Sequence, residues 1–119
     1  MTATSASAIV QSYHQAWTSG DVERAMTWVA DGITCRAPGV DIAGKDAYRE
    51  FIGGFAPALT GLADIADFAD GDQVALFYYP QTAATSTAPA AECFTVREGK
   101  IVESVLIFDR VSFGPPADA

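Results

Sequence analysis

Apolar residues in the first part of the chain fall at helical spacing. Ile9, Tyr13, Ala16 and Trp17 recur at i, i+4, i+7 and i+8, the interval that gathers side chains on one face of a helix. The pattern predicts a helix over residues 5–19, capped by Ser5 or Ser7 and stopped by Gly20. Asp21 is placed to cap a second helix, whose apolar face of Ala25, Met26, Trp28 and Val29 runs until Asp31-Gly32 breaks it. Residues 33–37 read as a short strand closed by Pro38-Gly39. Residues 45–55 read as a third helix with Tyr48, Phe51, Ile52 and Phe55 on its inner stripe. Alternation of period two then takes over, predicting strands at 62–69, 73–79, 92–97 and 101–111. Asp70-Gly71-Asp72 and Glu98-Gly99-Lys100 supply hairpin turns. Residues 80–90, rich in Thr, Ala and Ser, read as a loop or a frayed hairpin end, and residues 114–119 as a disordered tail.

Helices first and an antiparallel meander after them predict one α+β domain over residues 1–113, with the helices on one face of the sheet. The last strand bears on assembly. Val105, Ile107 and Val111 alternate with Leu106 and Phe108, so both of its faces are apolar, whereas a strand with one wet face would alternate apolar and polar. The second face needs cover, and a homodimer through the sheet is the simplest source.

Composition narrows the partners. Lys and Arg total 7 against 15 Asp and Glu, a formal net charge of -8, and no basic cluster offsets it. Such a chain repels nucleic-acid backbones and anionic lipid surfaces. The opening residues lack the charged and apolar regions of a secretory signal, and no apolar run approaches the roughly 20 residues that span a bilayer. The expected location is cytoplasmic, and Cys35 and Cys93 then read as small buried hydrophobes rather than a disulfide. One His and two distant Cys make no zinc site, and no metal or cofactor is implied.

Three strings carry a family likeness. AIVQSYHQAWTSGDVERAMTWVADGITCRAPG, residues 8–39, resembles the opening of the ketosteroid isomerase and SnoaL-like proteins of the NTF2-like superfamily. GKDAYREF, residues 44–51, resembles the start of that family's third helix, and REGKIVESVLIFD, residues 97–109, its final hairpin. The likeness covers roughly residues 8–110 and implies a cone, with three helices packed on a curved, mainly antiparallel sheet around an apolar pocket. It does not imply one reaction, since the fold hosts isomerases, cyclases, epoxide hydrolases and binders.

Steroid isomerases of this family move a proton beside a ketone, using a carboxylate base and an oxyanion hole of a tyrosine and a protonated acid. By resemblance, Tyr13 falls at the oxyanion tyrosine, although a core tyrosine bonded to a backbone carbonyl reads equally well. Glu92 falls at the acidic donor, one methylene longer than the family's Asp, and enters the pocket if it shares a face with Phe94. The position of the family's base, before the Pro that ends the first strand, is Ala37, which cannot take a proton. Ile52 stands where relatives hold a second, supporting tyrosine. Asp109 resembles the general acid/base of SnoaL-like cyclases, yet strict alternation turns it away from Phe108 unless a bulge intervenes. Asp41 and Asp46 read as loop or cap carboxylates, and His14 as a surface or helix-contact residue. Trp17, Phe51, Phe55, Phe94 and Phe108 are the candidate ligand-binding aromatics, suited to a flat apolar ligand, polycycles included. The reading is a protein binding a small apolar carbonyl compound, with acid–base isomerase or cyclase chemistry or, as the alternative, a non-catalytic binder or accessory protein. Arg36, Arg97 and Arg110 offer no counterpart to the Asp-Arg-Asp set of an epoxide hydrolase.

Overall fold

A computed structural model describes residues 5–113. The tail expected to be disordered, 114–119, lies outside them. Helix α1 (Ala6–Thr18) begins where the Ser5 hydroxyl accepts from the Ala8 amide at 3.1 Å. That contact satisfies one of the helix's orphan donors. Its buried stripe holds Ile9, Val10, Tyr13, His14, Ala16 and Trp17. Gly20, at φ 95, turns the chain in the left-handed region that side chains avoid.

Helix α2 (Val22–Met26) is capped by Asp21, whose carboxylate accepts from the Arg24 amide at 3.1 Å. It is shorter than expected because strand β1 (Val29–Ala37) claims Val29 and Ala30. Long-range bonds decide this contest: the Ile101 amide donates to the Trp28 carbonyl at 2.8 Å, and Lys100 Nζ to the Thr27 carbonyl at 2.6 Å. Asp31-Gly32 therefore does not end a helix. It sits in an irregular stretch of β1 between the paired residues Val29 and Thr34. Strand β2 (Val40–Ala43) was not anticipated: it returns from the Pro38-Gly39 turn and buries Ile42 alone, too little alternation to read.

Helix α3 (Lys45–Phe55) is followed by a short 3-10 turn (Ala56–Ala58) and strands β3 (Leu59–Asp70) and β4 (Gln73–Thr82). Strands β5 (Ala90–Arg97) and β6 (Lys100–Phe108) complete the sheet, and a 3-10 turn (Arg110–Phe113) ends the described chain. The last strand thus stops at Phe108, short of the expected Val111, because Asp109 caps the turn that follows. Its carboxylate accepts from the Val111 amide at 3.1 Å and the Ser112 hydroxyl at 2.7 Å.

The six strands form one mixed, curved, unclosed sheet in the order β2-β1-β6-β5-β4-β3, and the three helices pack against it. All neighbours are antiparallel except β1 and β6. Alternation sorts the strands cleanly. Val74, Leu76 and Tyr78 of β4 and Ala90, Glu92 and Phe94 of β5 are buried beneath the helices, while Phe77 and Cys93 are exposed on the other face. Cys35 is buried in β1, and both cysteines are free, so Cys93 is not the buried hydrophobe expected. Among the described residues no helix is long and apolar enough to cross a membrane.

Candidate functional site

Between the helices and the inner sheet face lies a cavity of about 100 Å³. Trp17 reaches it from α1, Phe51 and Phe55 from α3, and Leu106 and Phe108 from β6. Into this apolar wall the sheet inserts two polar side chains, Tyr78 and Glu92. Both are there because of the pleat: Tyr78 shares its face of β4 with Val74 and Leu76, and Glu92 lies between Ala90 and Phe94 on β5.

Glu92 is 2% exposed, and the Tyr78 hydroxyl donates to its Oε1 at 2.5 Å. Burial pushes the Glu92 carboxyl up to about 7, against the smaller, opposite pull of the Tyr78 bond. A carboxyl with this balance holds its proton about half the time at neutral pH, the state in which a group both gives and takes protons. The Tyr78 phenol is held well above its ordinary range by burial and by the Glu92 charge.

A second hydroxyl pair lies deeper. The Tyr13 and Tyr48 hydroxyl oxygens are 2.5 Å apart, both residues wholly enclosed, and Phe94 packs edge-on against the Tyr13 ring at 5.6 Å. Burial is the main force raising both phenols, followed for Tyr13 by Tyr48 and for Tyr48 by the Glu92 charge. Tyr48 thus supplies the support expected of a tyrosine at position 52; α3 presents it one turn earlier, and Ile52 beside it is apolar wall. Among the described residues, the Ser104 hydroxyl, near Tyr48 and the Cys35 thiol, has no hydrogen-bond partner of good geometry. Burial raises that thiol to about 11.

The expected site residues therefore divide. Trp17, Phe51, Phe55, Phe108 and Glu92 surround the cavity. Tyr13 and Phe94 do not line it; they form solid core behind it, because Tyr13 turns toward α3 and Phe94 fills the space beneath. Asp109 is exposed and engaged in capping, and the pairing of β6 with β5 runs regularly from Ser104 to Phe108, with no bulge there to bring it round. Asp46 pairs with Arg49 on the surface at 3.0 Å, and Asp41 is exposed. His14 proves buried rather than superficial, its ring 4.6 Å from that of Tyr78 and 5.9 Å from that of Trp17. Burial lowers it to about 4, with Asp64 pulling weakly the other way. Tyr78 is the functional candidate that sequence reasoning passed over; its inward register with Leu76 was the available signal. Among the described residues, no three His, Cys, Asp or Glu side chains gather as a metal site requires.

This geometry has known company. Residues 10–104 match the SnoaL-like domain, and the chain belongs to that family. A crystal structure of a protein from Kribbella flavida is 42% identical, covering 88% of this chain and 87% of that one, with a TM-score of 0.85. An NTF2-like protein of unknown function from Cytophaga hutchinsonii shares the fold at 16% identity, covering 91% of this chain and 93% of that one, TM-score 0.75. So does a protein with a ketosteroid isomerase-like fold from Catenulispora acidiphila, solved with trimethylamine, at 18% identity, covering 93% and 95%, TM-score 0.71. No curated protein matches.

The two shifted groups oppose each other in stability. Glu92 binds its proton more tightly folded than unfolded, so its contribution is full below about pH 4.5 and is lost as pH rises through about 7. His14 is held neutral by the fold, so its contribution is lost as pH falls from 6.5 through about 4. Each is worth on the order of 3 kcal/mol. Urea unfolding of wild type should give nearly constant stability between pH 4.5 and 6.5. Glu92→Gln should unmask the rise with pH due to His14; a variant profile parallel to wild type contradicts the assignment.

Proposed function

We propose that this SnoaL-like protein binds a compact, apolar carbonyl compound in the cavity, with Glu92 and Tyr78 addressing the carbonyl oxygen. One observation carries the reading: a single carboxyl group, able to be neutral near pH 7, stands in a wall otherwise made of aromatic and aliphatic side chains. A protonated carboxyl in such surroundings is a strong donor, because no water competes for the acceptor. The size of the cavity supports a small occupant. Its roughly 100 Å³ is below the ~150 Å³ of a dry cavity that admits benzene and well below the ~300 Å³ at which drug-sized pockets begin. A single ring or smaller is favoured over a polycycle, with the partly buried Phe51, Phe55 and Phe108 yielding to admit it.

Cyclohexenone and phenol are suitable probes, followed by calorimetry or by Trp17 fluorescence. Binding of the ketone should weaken as pH rises through about 7, when Glu92 loses its donor proton. Glu92→Leu should lose more than tenfold in affinity, about 1.4 kcal/mol. Affinity indifferent to both pH and Glu92, or no binding at all, would overturn the reading.

We further propose that a second copy of the chain covers the outer sheet face. Register aligns Ala75, Cys93 and Val105 across β4–β6, with Phe77, Ala91 and Ile107 beside them. Phe68 packs against Phe77 at 6.0 Å, yet Phe68 and Ile107 remain 64% and 63% exposed. Exposed Arg36 lies beyond Val105 on β1 and exposed Asp70 beyond Phe68 on β3. A two-fold axis along the middle strands lays β1 of each copy over β3 of the other, with Arg36 at the level of Phe68 and Asp70 two residues further along the rim. Sedimentation equilibrium at micromolar concentration should return twice the chain mass, and Ile107→Lys the single mass. A wild-type monomer would refute the assembly.

A further inference from the structure

We infer that the cleft between helix α1 and the bulge of strand β3 is a second binding site, for a planar organic cation of the guanidinium or amidinium class. It shares no lining residue with the apolar cavity and is independent of the reading above.

The cleft begins with an irregularity of the edge strand. Pairing of β3 with β4 slips between Asp64 and Ala66, which leaves Ile65 without a partner across the ladder. In a regular strand, residues three apart project from opposite faces. The extra residue changes the parity. Asp64 now stands opposite Tyr78 and Asp67 opposite Leu76, and both of those residues point under the helices. Both carboxylates are thereby turned to the side on which α1 lies. The helix meets them one turn apart. The Gln11 side-chain amide donates to Asp67 Oδ2, and His14 Nε2 stands 3.8 Å from Asp64 Oδ1, too far for a hydrogen bond.

The imidazole is a separate sign of a ligand. His14 is 4% exposed and set edge-on to the rings of Tyr78 and Trp17, and neither of its nitrogens has a hydrogen-bond partner among the described residues. Burial holds it neutral, so it keeps one lone pair and one N–H. Buried polar atoms are costly to leave unpaired, and a native interior almost always supplies their partner. The ring borders a cleft of about 380 Å³ whose apolar wall is Ile65, Leu76 and Phe77.

Charge and shape select the occupant. No Lys or Arg borders the cleft, and neither aspartate has one as an ion-pair partner among the described residues. An incoming cation therefore meets two uncompensated carboxylates. A metal ion or an ammonium group is a point charge and needs its acceptors to converge, whereas His14, Asp64 and Asp67 do not gather as a metal site requires. A guanidinium spreads its N–H groups along the edges of a rigid plane. One edge can address an aspartate and another the imidazole lone pair, while an attached alkyl stem lies along Ile65, Leu76 and Phe77.

His14 is the chain's only histidine, so its imidazole C–H resonances report on the cleft directly. Butylguanidinium at millimolar concentration and physiological salt should shift them saturably, with affinity measured by calorimetry on the same samples. Asp64→Asn and Asp67→Asn should each weaken binding roughly tenfold or more. His14→Phe keeps the aromatic packing and removes the nitrogens, and should weaken binding as much; circular dichroism checks its fold, and the two surface variants decide if it fails. Butylammonium and Mg2+ should bind roughly tenfold more weakly than butylguanidinium. N-acetylarginine amide separates the sources of the group: tighter binding than butylguanidinium assigns an arginine of a protein, weaker binding a free base, and either supports the site. No saturable shift of the His14 resonances would mean that an ordered water satisfies the imidazole and that the aspartates only guard the sheet edge, which overturns the inference. Affinity unchanged in both aspartate variants, or butylammonium or Mg2+ binding as tightly as butylguanidinium, overturns it as well.

Discussion

A carboxyl group taken out of water must keep its proton or be met by donors, and the interior of this protein is organised around one such group. Glu92 is enclosed under the helices, its charge is felt by three phenols, and one of them donates to it directly. Leaving such a group buried and ionised without partners would cost several kcal/mol. The protein meets this with one short bond from Tyr78 and leaves the rest of the penalty unrelieved, so the proton affinity rises instead. The same penalty that weakens the fold at high pH supplies a group that can exchange protons at neutrality.

The fold produces this arrangement from ordinary parts. Pleat alternation in β4 and β5 turns Tyr78 and Glu92 inward at neighbouring levels, and α1 and α3 roof them with Trp17, Phe51 and Phe55. The parallel pairing of β1 with β6 anchors the short α2 connection through Thr27 and Trp28, which places α1 over the sheet. Tyr13, Tyr48 and Phe94 fill the deep end of the cone, so the open volume is confined to the end where Glu92 stands.

Much of this was legible in the residues, wherever the signal was local and periodic. The α1 stripe, the third helix and the two Gly-centred hairpins follow from spacing alone, while Glu92 entered by resemblance, on the condition, met in the structure, that it shares a face with Phe94. The misreadings occur where distant contacts outvote local preference. Trp28 and Val29 continue a helical pattern, but Ile101 bonds to Trp28 in the turn and pairs with Val29 at the start of β1. Ile42 is one inward residue in four, so β2 left no period to detect. Tyr48 rather than position 52 meets Tyr13, which depends on how α3 is rotated against α1. Tyr78 drew no reading of its own within the strand expected at 73–79, because spacing cannot tell a hydroxyl that meets a carboxylate from one that does not. Family membership was evident from ordered strings, whereas the division of roles among acids required knowing which side chains share one cavity.

The site turns on the protonation of one side chain, and that can be observed directly. Carboxyl carbon NMR of protein labelled at glutamate, with Glu92 assigned by Glu92→Gln, should show one resonance titrating with a midpoint near 7 while the exposed glutamates titrate in the ordinary carboxylate range. A Glu92 midpoint near 4.5 would mean that the carboxylate is solvated or otherwise satisfied, and the buried proton-exchanging group on which this account depends would not exist.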